Sequence, residues 1–270
     1  MTTGQLLAST WHWHPSILLG CLGLLLAYGA ALRFQWQNQA LVFIGGVTIL
    51  VIALLSPLHE LGDTYLFSAH MLQHLLLLLI VPPLLLLGLP ASLVRGALRN
   101  PVLSRLERVL GQPWMAWSIG NGAMWVWHLP VLYNAALAHQ GIHIVEHLCF
   151  LGSALVFWWP VLAPGAATRL QPLAAILYLF GAMITSGVLG AILTFAEPGW
   201  YPAYLDPHDP LRVLPLIRGT WGLTPAADQQ LGGLLMWVPG NLVYLIASMG
   251  MLARWYSLPE EPETRIVVEL

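Results

Sequence analysis

Seven stretches of this chain are apolar almost without interruption: 16–32, 40–56, 65–81, 114–128, 141–161, 172–196 and 231–254. Segments between them gather Pro, Gly, Arg and Trp. A hydrocarbon core about 30 Å thick takes roughly 20 helical residues to cross, so each stretch predicts a membrane-spanning helix, the fourth being the shortest. Pro82-Pro83 closes the third stretch. Proline donates no hydrogen bond and crowds the preceding turn, so the helix is expected to end or kink there, with 84–89 completing the crossing at an angle or lying at the interface. The expected fold is an all-α membrane protein, a polytopic bundle of about seven helices forming one domain over residues 1–270.

Two connecting segments carry patterns of their own. In 101–110, Val102, Leu103, Leu106, Val109 and Leu110 share one face while Arg105 and Arg108 lie on another. That pattern predicts a short amphipathic helix on the cytoplasmic surface. The segment 197–230 is rich in Pro, Gly, Tyr and Asp and long enough to form an external lid.

Composition removes the soluble alternative. Of 270 residues, 58% are hydrophobic and 8% charged, whereas a soluble domain carries about 25% charged residues. The formal net charge of −2 and the lack of a basic run argue against a nucleic-acid partner. The first 32 residues hold no Arg or Lys, so the first apolar stretch is expected to be a retained span. Cys21 and Cys149 both lie in apolar stretches and form no CxxC; they are expected to be small buried side chains. There is no lysine, and nothing in the pattern explains that choice.

Arginine sets the expected orientation. Alternate loops hold Arg33, Arg95, Arg99, Arg105, Arg108, Arg169, Arg254 and Arg265, against Arg212 and Arg218 on the other side. Positive charge stays cytoplasmic, which predicts the N-terminus outside and the C-terminus inside. Tryptophans at stretch ends (Trp11, Trp13, Trp36, Trp114, Trp127, Trp158, Trp159, Trp255) fit interfacial belts. With that orientation all ten histidines fall in external loops or the outer halves of spans.

The sharpest chemical signal is two histidine pairs, His70/His74 and His143/His147, each spaced i, i+4. That spacing sends both rings from nearly the same helix face, one turn apart. Two such faces meeting would offer four imidazoles to one ion, and neutral imidazole suits copper, zinc, nickel and iron. The plainer alternative is hydrogen bonding between helices, but polar groups inside spans are costly and usually functional. His128, Met71, Met236 and Asp228 stand nearby in the predicted bundle as inner-sphere or gating candidates, with Met124 one turn below His128. Thioether sulfur favours Cu(I), although methionine also fills core gaps. His143 to His147 also spells H-x-x-E-H, the inverted zinc-peptidase pattern. An intramembrane zinc hydrolase is therefore one alternative, and a bis-histidine haem site another. A copper permease is a third, though the inner halves of the third and fifth stretches are Leu, Val and Phe. Glu146 is expected to compensate charge or to orient a ligand ring from behind, not to share a face with both histidines.

Three ordered blocks carry a family resemblance. The first is Ser56-Pro57-Leu58, Phe67-Ser68-Ala69-His70-Met71-Leu72-Gln73-His74, Pro82-Pro83-Leu84 and Leu87-Gly88-Leu89-Pro90. The second is Trp127-His128-Leu129-Pro130 with Tyr133, His143 and Glu146-His147. The third is Tyr201-Pro202, Asp228-Gln229-Gln230-Leu231-Gly232-Gly233 and Met236-Trp237. Over about 50–255 the chain resembles the multi-span CtaG-type assembly factors of cytochrome c oxidases. The resemblance implies a non-enzymatic protein of the bacterial inner membrane that helps deliver copper to the dinuclear copper centre of the oxidase's second subunit. Its partners would be that subunit or a periplasmic copper chaperone. His59 carries over weakly, and His12, His14, His139 and His208 belong to no block.

Overall fold

Proline at the first or second helical position starts most of the helices, where its missing N–H costs nothing. The main ones are α1 (Pro15–Ala31), α2 (Gln39–Leu55), α3 (Phe67–Leu87), α4 (Pro113–Trp127), α5 (Gln140–Leu162), α6 (Pro172–Phe195) and α7 (Pro225–Tyr256). The computed structural model describes residues 2–33, 35 and 38–258, and all regular structure among them is helical. Trp36, expected in an interfacial belt, and Arg265, expected in the cytoplasm, lie outside the described residues.

Each of the seven apolar stretches is a helix. Four of them (α3, α5, α6 and α7) are long and apolar enough to cross a membrane alone. A fifth crossing is available if α2 and the segment Pro57–Tyr65, bent by 43° from it, form one broken span. Helices α1 and α4 are shorter, at 17 and 15 residues.

Of the two outcomes expected at Pro82-Pro83, an end or a kink, the helix does not end: α3 continues to Leu87. The segment Leu76–Ile80 widens into a π-helix just before the prolines, which lets the ring of Pro82 enter without ending the helix. The Leu78 carbonyl, which Pro82 cannot serve, instead accepts the Trp158 indole N–H at 3.0 Å. Trp158 is therefore a core residue and not part of an interfacial belt. Cys21 is buried as expected, but Cys149 is exposed on α5.

Glycines bring the remaining helices together. A Cβ on Gly233 of α7 would stand 2.4 Å from the Thr194 backbone nitrogen of α6, and one on Gly190 would stand 2.7 Å from Trp237 N. Small residues permit such approach where lipid supplies no hydrophobic drive between helices. Gly232 presses α7 against the Phe67 ring at the start of α3, and α3 in turn packs on α5. The stretch Pro101–Leu110 is a helix whose Val102, Leu103, Leu106 and Val109 are exposed. Its buried Glu107 accepts hydrogen bonds from Thr168 N at 3.0 Å and Thr168 Oγ1 at 2.6 Å.

Two connections gain structure that periodicity did not predict. A helix over Pro130–Ala138 follows α4 and carries Tyr133 inward. In the segment before α7, a short 3-10 turn (Pro202–Tyr204) seats Tyr201 and Tyr204 beside Phe67.

Candidate metal centre

The histidines of α3 and α5 meet. Six rings (His59, His70, His74, His128, His143 and His147) are linked by centroid separations of 4.2–6.2 Å. Within this cluster, donor atoms of His70, His74, Glu146 and His147 all lie within 4.8 Å of one another. A second group with the same property is Asp63, His70 and His143. His70 belongs to both.

The geometry corrects two expectations. The four paired histidines do not form one square of ligands: His143 turns toward Asp63, with Nδ1 3.3 Å from Oδ2, and Glu146 takes its place in the inner group. Glu146 does share the cluster's face. Its carboxylate oxygens stand 3.9 Å from His70 Nε2, 3.7 Å from His74 Nε2 and 4.0 Å from His143 Nε2. On an α-helix, positions 143 and 146 are about 60° apart around the axis, and the longer glutamate side chain spans that difference. Glu146 is 0% exposed.

The donor set is unsatisfied as it stands. His70 Nε2, both His74 ring nitrogens, His128 Nε2, His143 Nε2, His147 Nε2 and both Glu146 oxygens are buried without a hydrogen-bond partner. Buried polar atoms in folded proteins are overwhelmingly paired. This concentration of bare imidazole nitrogens and carboxylate oxygens is chemically what a borderline cation binds.

Neighbouring groups fix the ring orientations. His70 Nδ1 lies 3.2 Å from the Gly62 carbonyl, which can only accept, so the proton sits on Nδ1 and the Nε2 lone pair faces Glu146. Tyr204 donates to the same carbonyl at 2.8 Å and is 3.1 Å from the Tyr133 hydroxyl. Burial pushes the Tyr201 and Tyr204 hydroxyls well above the ordinary phenol range, so both stay protonated donors. His128 is held likewise: Nδ1 donates to the Met124 carbonyl at 2.6 Å, and Tyr201 donates to the His128 carbonyl at 2.8 Å. Such outer partners set the tautomer and aim of ligand rings.

The other predicted residues separate into two roles. Met71 and Met236, with Met124, line a small cavity that His74 also borders, so the thioethers gather next to the imidazoles. Asp228 is engaged elsewhere, which corrects its reading as a ligand or gate. Its oxygens accept from Phe67 N at 2.7 Å, Ser68 N at 3.0 Å and Ser68 Oγ at 2.5 Å. Asp228 thus caps the first turn of α3 from across the bundle. Asp63, Tyr133 as a hydroxyl donor and Tyr204 were not singled out for the site from sequence. Asp63 did carry a signal: it stands i, i+4 from His59, the spacing of the two histidine pairs.

Fold and site together define a helical membrane protein that encloses a buried histidine–carboxylate cluster suited to a metal ion. By sequence, the chain belongs to the cytochrome c oxidase caa3 assembly factor (Caa3_CtaG) family, whose profile matches residues 19–257. It is also 24% identical to uncharacterized proteins of Mycobacterium leprae (strain TN), over 270 aligned residues, and of Mycobacterium bovis and Mycobacterium tuberculosis, over 269. These alignments cover 90% of this chain but 39% of each relative, so the chain spans well under half of their length. No solved structure matches.

Proposed function

We propose that this protein carries a copper ion, as cargo and not as a resident cofactor, to a cytochrome c oxidase during assembly. The ion would be held by His70, His74, His147 and Glu146, with His128, Met71, Met124 and Met236 as its next contacts. The destination would be the dinuclear copper centre of the oxidase's second subunit, reached directly or through a periplasmic copper chaperone. The family supplies the link to oxidase assembly. The observation that carries the metal reading is the set of buried, unpartnered imidazole nitrogens facing an unpartnered carboxylate. Copper is preferred to zinc because three thioethers border the same cavity as His74. The burial of Glu146 suits a ligand or counter-charge better than a general base that must meet a substrate, which weighs against the zinc-hydrolase alternative.

X-ray absorption on the purified, copper-loaded protein tests this reading. The expected first shell is about three imidazole nitrogens and one oxygen, near 2.0 Å. A shell of sulfur alone would move the site to the methionines, and failure to retain any stoichiometric ion would end the metal proposal.

We further propose seven spans in a bacterial inner membrane, with the N-terminus periplasmic and the C-terminus cytoplasmic. Arginine placement supports this orientation, and the helical state of all seven stretches supports the number of spans. On a background lacking Cys21 and Cys149, a cysteine at His208 should react with an impermeant reagent in intact cells. One at Ser104 should not. The reverse pattern would invert the topology.

A further inference from the structure

In the inner group His70, His74 and Glu146 are buried and His147 is partly exposed. Asp63, His143 and His59 adjoin this group, and none of these is needed to complete a four-donor shell of His70, His74, Glu146 and His147. The Asp63 side chain is 30% exposed, that of His143 8%, and those of His70 and Glu146 0%. Exposure therefore falls from Asp63 through His143 to His70 and Glu146. His12 Nε2 pairs with Glu60 Oε2 at 2.9 Å.

Asp63 and His143 have a donor set of their own. Asp63 Oδ2 faces His143 Nδ1 at 3.3 Å. Asp63 Oδ1 is buried without a hydrogen-bond partner, 3.5 Å from His59 Nδ1. His59 Nδ1 is itself satisfied, since it accepts from Gln73 Nε2 at 3.1 Å, and Gln73 also donates to the Ala53 carbonyl. His59 is thereby held as a wall of this group, stacked on His143 with centroids 5.7 Å apart. The remaining donors, from Asp63, His143 and His70, lie within 4.8 Å of one another, close enough to converge on one ion.

We propose that Asp63, His143 and His70 form a second cation station, specific for a divalent ion that accepts mixed nitrogen and oxygen ligands, and that this station loads the buried one. The inference rests on the metal reading of the inner group. Because His70 belongs to both groups, the two cannot each hold a complete shell at once, and two divalent ions so close would repel strongly. Transfer is therefore ligand exchange. The ion keeps its bond to His70 while bonds to Asp63 and His143 are replaced by bonds to Glu146, His74 and His147. No electron moves, and each released donor recovers its lone pair. The carboxylates of Asp63 and Glu60, both partly exposed, also concentrate cations nearby. Focusing of this kind raises association rates by about 10- to 1000-fold.

The test separates rate from capacity. Wild type, Asp63→Asn and Asp63→Glu are purified in detergent and mixed with cupric ion supplied as its glycine complex. Uptake is followed by quenching of tryptophan fluorescence, and bound copper is counted after desalting. Asp63→Asn should slow uptake by about tenfold or more while still binding one ion at equilibrium, and Asp63→Glu should restore much of the rate. Asp63→Ser provides a second neutral variant should the asparagine protein misfold. Uptake by the neutral variants at the wild-type rate would overturn the loading station and leave the inner site standing. Loss of the equilibrium ion would place Asp63 in the principal site and overturn the two-station division. A wild type that binds no copper would defeat both readings together.

Discussion

His74→Ala and His147→Ala, made separately, are expected to weaken copper binding by more than roughly a hundredfold, since even outer-shell partners of a metal typically contribute ten- to a hundredfold. Both rings lie in the inner group, and neither ring nitrogen of His74 has any other partner. Removing one imidazole opens the shell to water. The protein should nevertheless stay folded in the membrane, because neither ring holds a backbone group. In the host, the oxidase should lose its dinuclear copper signal while its haem signals persist. His208→Ala, in the segment before α7, is the control and should behave as wild type. If both variants keep one tightly bound copper per chain, the ion lies elsewhere, and His128 with Met71, Met124 and Met236 becomes the place to look.

Asp228→Ala should act differently, chiefly on stability. The residue before α3, Leu66, offers no side-chain cap, so the Phe67 and Ser68 amides depend on the Asp228 carboxylate. Stranding buried donors that had a charged acceptor costs about 2–3 kcal/mol, comparable to the larger measured helix-cap effects. A clear fall in melting temperature is expected, with copper still bound below the transition. Asp228→Asn keeps one acceptor oxygen and should lose less. A variant with unchanged melting but no copper would restore Asp228 to the ligand set.

The paired histidines and Asp228 differ in how far their roles are legible along the chain. Asp228, His128, Met71 and Met236 were grouped with the histidines because all stand near one end of the apolar stretches. Depth along a helix is set by counting residues, and that much is readable. Which atom meets which depends on how each helix is rotated and how closely it approaches its neighbour. Here that was decided by Gly232 against Phe67 and by the Gly190 and Gly233 contacts between α6 and α7. The π-helical passage through Pro82-Pro83 was likewise hidden. It depends on Trp158, 80 residues away, supplying a hydrogen bond to the orphaned Leu78 carbonyl.

By itself the sequence determined the solvent, the helical class and the two i, i+4 histidine faces. Hydrophobicity and the 3.6-residue repeat are local properties that need no partner to be expressed. It also carried the family blocks. Only the tertiary structure decided that Glu146 enters the cluster, that His143 turns outward to Asp63, that His70 is shared, and that Asp228 serves as a cap. Each of those outcomes is a contact between residues on different elements or a choice among side-chain directions on one face. The packing of α3 between α5 and α7 selects among them, and no pattern along one strand of sequence encodes it.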